Sequence, residues 1–184
     1  MNMISKYTQG INFGFLCVAA GLTSCATVAP TGPSAIATVS PTSVAANAGM
    51  NPQGSVRFVQ QGDGVRVTGR ITGLRPGQEH GFHVHEGADC TGDGLGTKGH
   101  FNPQGSAHGQ HGSALHHAGD LPSLRANSAG VAEFDVVIKQ LTVSACPSSV
   151  VGRGLIVHRD PDDFATQPTG NAGPRPGCAV ILAQ

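Results

Sequence analysis

The chain has no tryptophan, and aromatic residues make up only 4% of its 184 positions. Charged residues are scarce too, at 12%, and Lys plus Arg balance Asp plus Glu to a formal net charge of zero. That balance gives no basis for a nucleic-acid partner held by phosphate neutralisation. No apolar run is long enough to span a bilayer comfortably. The longest, over residues 11–22, falls short of the roughly 20 residues a transmembrane helix needs. No helix of useful length and no long-period repeat is visible. What the chain has instead is 27 glycines and 12 prolines. Such a composition favours many short strands and turns in one domain with appendages.

The N-terminus reads as a targeting segment. Lys6 is its only charge, and the short apolar run follows it. The run ends in Leu22-Thr23-Ser24-Cys25, which resembles a bacterial lipobox with Cys25 as the lipidated residue. A plain secretory leader cut nearby is the other reading. The expected division is a lipoprotein signal peptide over residues 1–24, a flexible tether over 25–34 and one domain over 35–184. The tether is rich in Ala, Thr, Pro and Gly, and no Asp, Glu, Lys or Arg occurs from Ala26 to Gly54. On this reading the protein is exported to a bacterial cell envelope, on the periplasmic or surface side of a membrane. It touches that membrane only through a lipid at Cys25.

An exported chain meets an oxidising compartment, so a disulfide is expected. Cys17 falls in the leader and Cys25 in the lipobox, which leaves Cys90, Cys146 and Cys178. Counting alone does not choose among the three pairs.

Strand signals recur through the domain. Residues 35–39 can form a first strand. Residues 55–60 and 65–74 alternate apolar and polar side chains on either side of Gly62-Asp63-Gly64, a hairpin signature. Residues 81–86, 131–138, 150–158 and 178–182 read as further strands. Two stretches lack periodicity: residues 87–128, and the polar, Gly/Pro-rich residues 160–175. Loops this long are unusual in a compact domain unless something other than a hydrophobic core ties them down. An antiparallel barrel or sandwich carrying two long functional loops is implied.

The histidines say what ties the first loop. All nine lie between His80 and His158. His83 and His85 stand at i and i+2 of a strand, so they face the same side and can share a metal ion. His100, His108, His111, His116, His117 and Asp120 crowd the following loop. His158 ends a later strand and can rejoin the first pair only through tertiary folding.

Five ordered segments, GFHVHEGADC, GHFNPQG, HAGDLP, VVGRGLIVH and GNAGPRPGC, make the chain from about Ala35 to its end resemble the copper/zinc superoxide dismutases. The resemblance implies an all-β Greek-key antiparallel β-barrel, immunoglobulin-like in its sandwich, with two long functional loops. It implies copper and zinc as cofactors. His83, His85, His100 and His158 match the copper ligands, and His100 matches the histidine that bridges to zinc. His108, His117 and Asp120 match the remaining zinc ligands. His116, beside His117, offers a competing register, while His111 and His116 have no ligand counterpart and His80 matches a structural position. Asp162 matches an aspartate that hydrogen-bonds ligands of both metals. Arg175 matches the arginine at the copper entrance, although Pro176 departs from the usual pattern and restricts the residue before it. Cys90 and Cys178 match the family disulfide, leaving Cys146 free.

The implied activity is dismutation of superoxide to dioxygen and hydrogen peroxide. Copper would cycle between two oxidation states, zinc would be structural, and His100 and Arg175 would serve catalysis. Superoxide is the implied small anionic substrate, and the cell envelope is what would be protected. A metal-delivery or storage lipoprotein that binds copper and zinc without catalysis is the alternative. Monomer and homodimer are both open.

Overall fold

The computed structural model describes Met1 and residues 32–184. The expected leader peptide, Cys17, Cys25 and most of the expected tether lie outside the described residues. The described chain folds into nine strands: β1 (Ser34–Pro41), β2 (Gln53–Gln61), β3 (Gly64–Thr72), β4 (Glu79–His80), β5 (Phe82–His85), β6 (Leu124–Arg125), β7 (Ala132–Ile138), β8 (Gly154–Val157) and β9 (Gly177–Ala183). The only helical element among the described residues is a 3-10 turn, Leu95–Thr97.

Seven strands make one curled antiparallel sheet in the order β5-β8-β9-β1-β2-β3-β7, and β4 pairs with β6 beside it. Only β1-β2 and β2-β3 and β8-β9 are neighbours in both sequence and space. The chain otherwise crosses from β3 to the far edge at β5, back to β7, and back again to β8. This is a Greek-key barrel. The two edge strands approach through side chains, with the rings of Phe82 on β5 and Phe134 on β7 5.3 Å apart, edge to face.

Period-two burial runs through the sheet. On β1 the inward residues are Ala35, Ala37 and Val39; on β3 they are Val65, Val67 and Ile71. The β2–β3 hairpin turns within two residues, with Gly62 at φ 57°, a conformation that favours glycine. The core is filled by Phe58, Ile71, Phe82, Phe101, Ile138, Leu155 and Ile181.

Three differences from the sequence expectations have local causes. The strand expected over 150–158 begins only at Gly154, because Gly152 at φ 78° turns the chain and interrupts the extended run. The pairing of β4 with β6 spans two residues on each side, too few for any periodicity to show. The long loop is also less polar in its anchoring than its composition suggests. Phe101, Ala118, Leu121 and Leu124 all join the core.

Candidate metal centre

Alternation along β5 sends Phe82 and Val84 into the core and His83 and His85 to the opposite face. All four residues are buried, because the long loop after β5 covers its outer edge. The covering is by main-chain pairing. Phe101 N–H donates to Val84 C=O, Val84 N–H to Gly119 C=O, and Gly119 N–H to Phe101 C=O. These contacts set His85 opposite His100 and His83 opposite Asp120. Gly119 suits this crossing point, since a Cβ there would press on the Val84 carbonyl and on Phe101. Phe101, 1% exposed, roots the segment that carries His100. On the other side β8 runs antiparallel to β5, with Val157 opposite Phe82. The next residue, His158, donates its N–H to Gly81 C=O at 2.8 Å and so stands beside His83.

Seven side chains thereby gather into two adjoining buried clusters. One is His83, His85, His100 and His158; the other is His100, His108, His117 and Asp120. Within each, the potential ligand atoms all lie within 4.8 Å of one another, and His100 belongs to both. The ring centroids of His83 and His100 are 3.9 Å apart.

Each imidazole of the first cluster is held by one nitrogen and left free at the other. His83 Nε2 pairs with Asp162 Oδ2 at 2.7 Å, His85 Nδ1 donates to Lys98 C=O at 2.9 Å, and His158 Nδ1 donates to Gly173 C=O at 3.0 Å. His100 Nδ1 pairs with Asp120 Oδ1 at 2.8 Å. The opposite nitrogens, His83 Nδ1, His85 Nε2, His100 Nε2 and His158 Nε2, are buried without a hydrogen-bond partner. Four orphaned buried polar atoms converging on one point are costly unless something binds them. A metal ion is the fitting occupant, because the outer hydrogen bonds fix ring orientation and tautomer as ligating imidazoles require.

The second cluster has the same character. His108 Nδ1 and His117 Nδ1 lie 3.1 and 3.4 Å from the Asp120 carboxylate yet have no hydrogen-bond partner. Asp120 is fixed by the N–H groups of His117 (2.8 Å) and Gly109 (3.2 Å). Its surroundings thus offer three nitrogens and one oxygen with little access to solvent.

Electrostatics match ligand duty. Burial, aided by the neighbouring imidazoles, holds His83 and His85 well below the ordinary histidine range and pushes His158 down to about 3. Burial alone would raise Asp120, but the adjoining imidazoles of His100, His108 and His117 and the backbone N–H of His117 outweigh it and keep the carboxylate ionised. Neutral imidazoles and an ionised carboxylate are the forms that bind metal. Burial pushes Asp162 up to about 7. Its Oδ2 holds His83, whereas its Oδ1 has no partner, and no hydrogen bond reaches the second cluster. His108 Nε2, also unpartnered, borders the same Gly170 as Asp162 Oδ1.

The remaining histidines stay outside both clusters. His116 faces away: its Nδ1 lies 2.8 Å from His117 C=O and its Nε2 2.9 Å from Gln140 Nε2. His111 meets it edge to face, with ring centroids 5.1 Å apart, and contacts Asp120 C=O through Nδ1. His80 Nδ1 lies 3.1 Å from the His158 carbonyl and 2.8 Å from that of Arg159, bracing the end of β8.

A cleft of about 330 Å³ opens above the first cluster, lined by Val44, Asp93, Leu95, His158, Gly173 and Arg175 among others. Arg175 Nη1 donates to Gly94 C=O at 2.9 Å and to Thr97 Oγ1 at 3.1 Å. Cys90 and Cys178 form a disulfide that ties the Gly94–Thr97 segment to β9, and Cys146 is free and exposed. The carbonyls of Lys98, Gly94 and Gly173 hold functional side chains. Backbone acceptors carry no residue-type signal, so the sequence could not have nominated them.

The sequence profile described as copper/zinc superoxide dismutase matches residues 52–181. The chain belongs to the copper/zinc superoxide dismutase family. The matched span runs from the start of β2 into β9 and contains all seven clustered side chains, Arg175 and both disulfide cysteines. Among solved structures, the chain is similar to the clock protein EA4, at 37% identity and a TM-score of 0.72. That match covers 84% of this chain and 97% of EA4. It is also similar to a double mutant of a SOD-like protein from Bacillus subtilis, at 29% identity and a TM-score of 0.69, over 80% of this chain and 96% of the other. In that mutant a tyrosine and a proline are each replaced by histidine. Both similarities extend over nearly the whole described domain.

Proposed function

We propose that the protein is a copper/zinc superoxide dismutase of a bacterial cell envelope. The observation that carries this reading is the set of four orphaned nitrogens, on His83, His85, His100 and His158, beneath an open cleft walled by Arg175. An all-nitrogen set suits copper, and His100, His108, His117 and Asp120 offer the three-nitrogen, one-oxygen set of a closed zinc site. His83, His85, His100 and His158 would hold copper, which would supply the one-electron exchange needed to convert two superoxide ions and two protons into dioxygen and hydrogen peroxide.

The chain's own residues do the rest. Arg175 presents a fixed cation in the cleft, where it attracts a small anion and can hydrogen-bond it. His100 Nδ1 is engaged in the zinc set, so Nε2 is the atom at which a proton can be held and delivered to the product. Asp162, and the carbonyls of Lys98 and Gly173, keep the other rings from turning. The domain over 35–184 would hang from the membrane by a lipid on Cys25, after loss of residues 1–24, through the tether 25–34. The Cys90–Cys178 disulfide is consistent with such an exported location.

The test is to load the purified protein with copper and zinc, measure one of each per chain, and follow superoxide decay. Second-order removal far above the spontaneous rate is expected. Full metal content without superoxide removal would overturn the enzyme reading and leave a metal-binding lipoprotein. The neighbour described only as a SOD-like protein keeps that second reading in view. Membrane fractionation of wild type and Cys25→Ala tests the anchor, with loss of membrane association expected in the variant.

A further inference from the structure

The connection from β1 to β2 is the third wall of the cleft, and it reaches the arginine directly. The last β1–β9 pair sets Pro41 opposite Gly177. Thr42 extends that antiparallel pairing one step. Its N–H donates to Pro176 C=O at 2.9 Å, and its Oγ1 donates to Arg175 C=O at 2.8 Å. Pro176 fixes its own φ and biases Arg175 toward extended backbone, but a proline step offers no N–H for anchoring. Thr42 takes both carbonyls of the step. The next residue, Ser43, hydrogen-bonds the Asp93 carboxylate. Asp93 precedes Gly94, whose carbonyl accepts Arg175 Nη1. Thr42 and Ser43 therefore join the wall that carries the arginine to the wall that receives its guanidinium, and Val44 lines the cleft between them.

We propose that Thr42 is a positioning residue for Arg175: its paired hydrogen bonds to the Arg175-Pro176 backbone set how the guanidinium is presented to an anion in the cleft. The proposal rests on the reading of Arg175 as the anion-contacting group. It accounts for how a proline beside that arginine is accommodated.

The test uses Thr42→Val, which keeps the side-chain shape and removes the hydroxyl donor, and Thr42→Ser, which restores it. Azide, a small anion, is titrated into the copper- and zinc-loaded protein. In parallel, modification of Arg175 by phenylglyoxal is timed by peptide mapping in loaded and metal-free protein. In Thr42→Val the azide Kd should rise roughly three- to tenfold, the scale of one net hydrogen bond. Arg175 should be modified faster, the copper spectrum without azide should be unchanged, and KM for superoxide should rise more than kcat falls. Thr42→Ser should return all of these toward wild type. Wild-type azide affinity and modification rate in Thr42→Val overturn the proposal. If the wild-type protein binds no azide and removes no superoxide, the functional reading fails, while the modification rate still decides whether Thr42 governs Arg175. Should Thr42→Val lose the wild-type circular dichroism, Thr42→Cys replaces it with a weaker donor in place. An unchanged modification rate there overturns the proposal equally.

Discussion

Two side chains carry different halves of the proposed chemistry, and their substitutions should separate. Arg175 touches no orphaned ligand atom; it lines the cleft and donates to Gly94 and Thr97. Arg175→Ala should therefore leave copper and zinc contents at one per chain while lowering kcat/KM for superoxide by about tenfold or more, the scale of a charge-assisted hydrogen bond. His100 belongs to both clusters. His100→Ala should weaken both metals at once, read as reduced content of each after dialysis and as a changed copper spectrum. An unchanged spectrum would move the shared ligand elsewhere. At this scale the sequence was most informative where residue type and chemistry coincide. A histidine or an aspartate announces itself, and the HAGDLP segment around Asp120 narrows the choice. The adjacent His116 and His117 could not be ranked from type alone. The family resemblance favours His117, and the backbone direction, which turns His116 toward Gln140, agrees with it.

Elements matter because no single one builds the site. β5 contributes two histidines, β8 delivers His158 at its end, and the loop between β5 and β6 supplies the remainder by pairing with the β5 edge. Phe101 is the apolar root of that pairing. Phe101→Ala should cost about 3–5 kcal/mol of stability by leaving a cavity, and should also loosen zinc, since His100 follows the same segment. Denaturant unfolding of metal-free and loaded protein reads both effects. The disulfide staples the Arg175-bearing end to the segment that receives the guanidinium, across a sequence separation of 88. In the chain-entropy view, Cys90→Ser should remove about 4–5 kcal/mol, measured by unfolding under oxidising conditions, and should raise KM more than it alters metal content. Strand periodicity made β1, β2, β3, β7 and β9 legible to within a few residues. The β4–β6 pair and the true start of β8 were not, because two-residue pairing has no period and because Gly152 takes up a left-handed φ that sequence alone does not reveal.

The whole molecule has a pH and salt signature. In the metal-free protein, burial depresses His83, His85 and His158, the last to about 3, against an unfolded value near 6.5. A depressed histidine binds fewer protons folded than unfolded, so its contribution is present above about 6.5 and is lost as pH falls. Asp120, held low by three imidazoles, loses stabilisation in the same direction as acid rises. Asp162, pushed up to about 7, acts the other way, favouring the fold below 7. The several depressed groups outnumber it, so the melting temperature of metal-free protein should fall as pH is lowered from about 6.5 toward 4. A flat or rising profile across that window would contradict this balance. Formal charge is zero overall, so on the proposed function attraction of superoxide would come from the local field of the cleft. Activity should therefore decline with rising ionic strength, as a plot of kcat/KM against salt would show.

The sequence by itself determined the class of strand that forms, the metal-binding residue types and their confinement between His80 and His158. These follow from local rules: period-two burial, the turn chemistry of glycine, and the ligand character of imidazole. The pairing of Cys90 with Cys178 entered only through family resemblance, and the fold supplies its geometry. What tertiary structure alone decided is which nitrogens stay unpartnered, and how Thr42 comes to hold the backbone of a residue far along the chain. Those are outcomes of crossovers that bring distant segments to one end of the barrel, and no local pattern encodes a contact whose partners are carbonyl oxygens common to every residue.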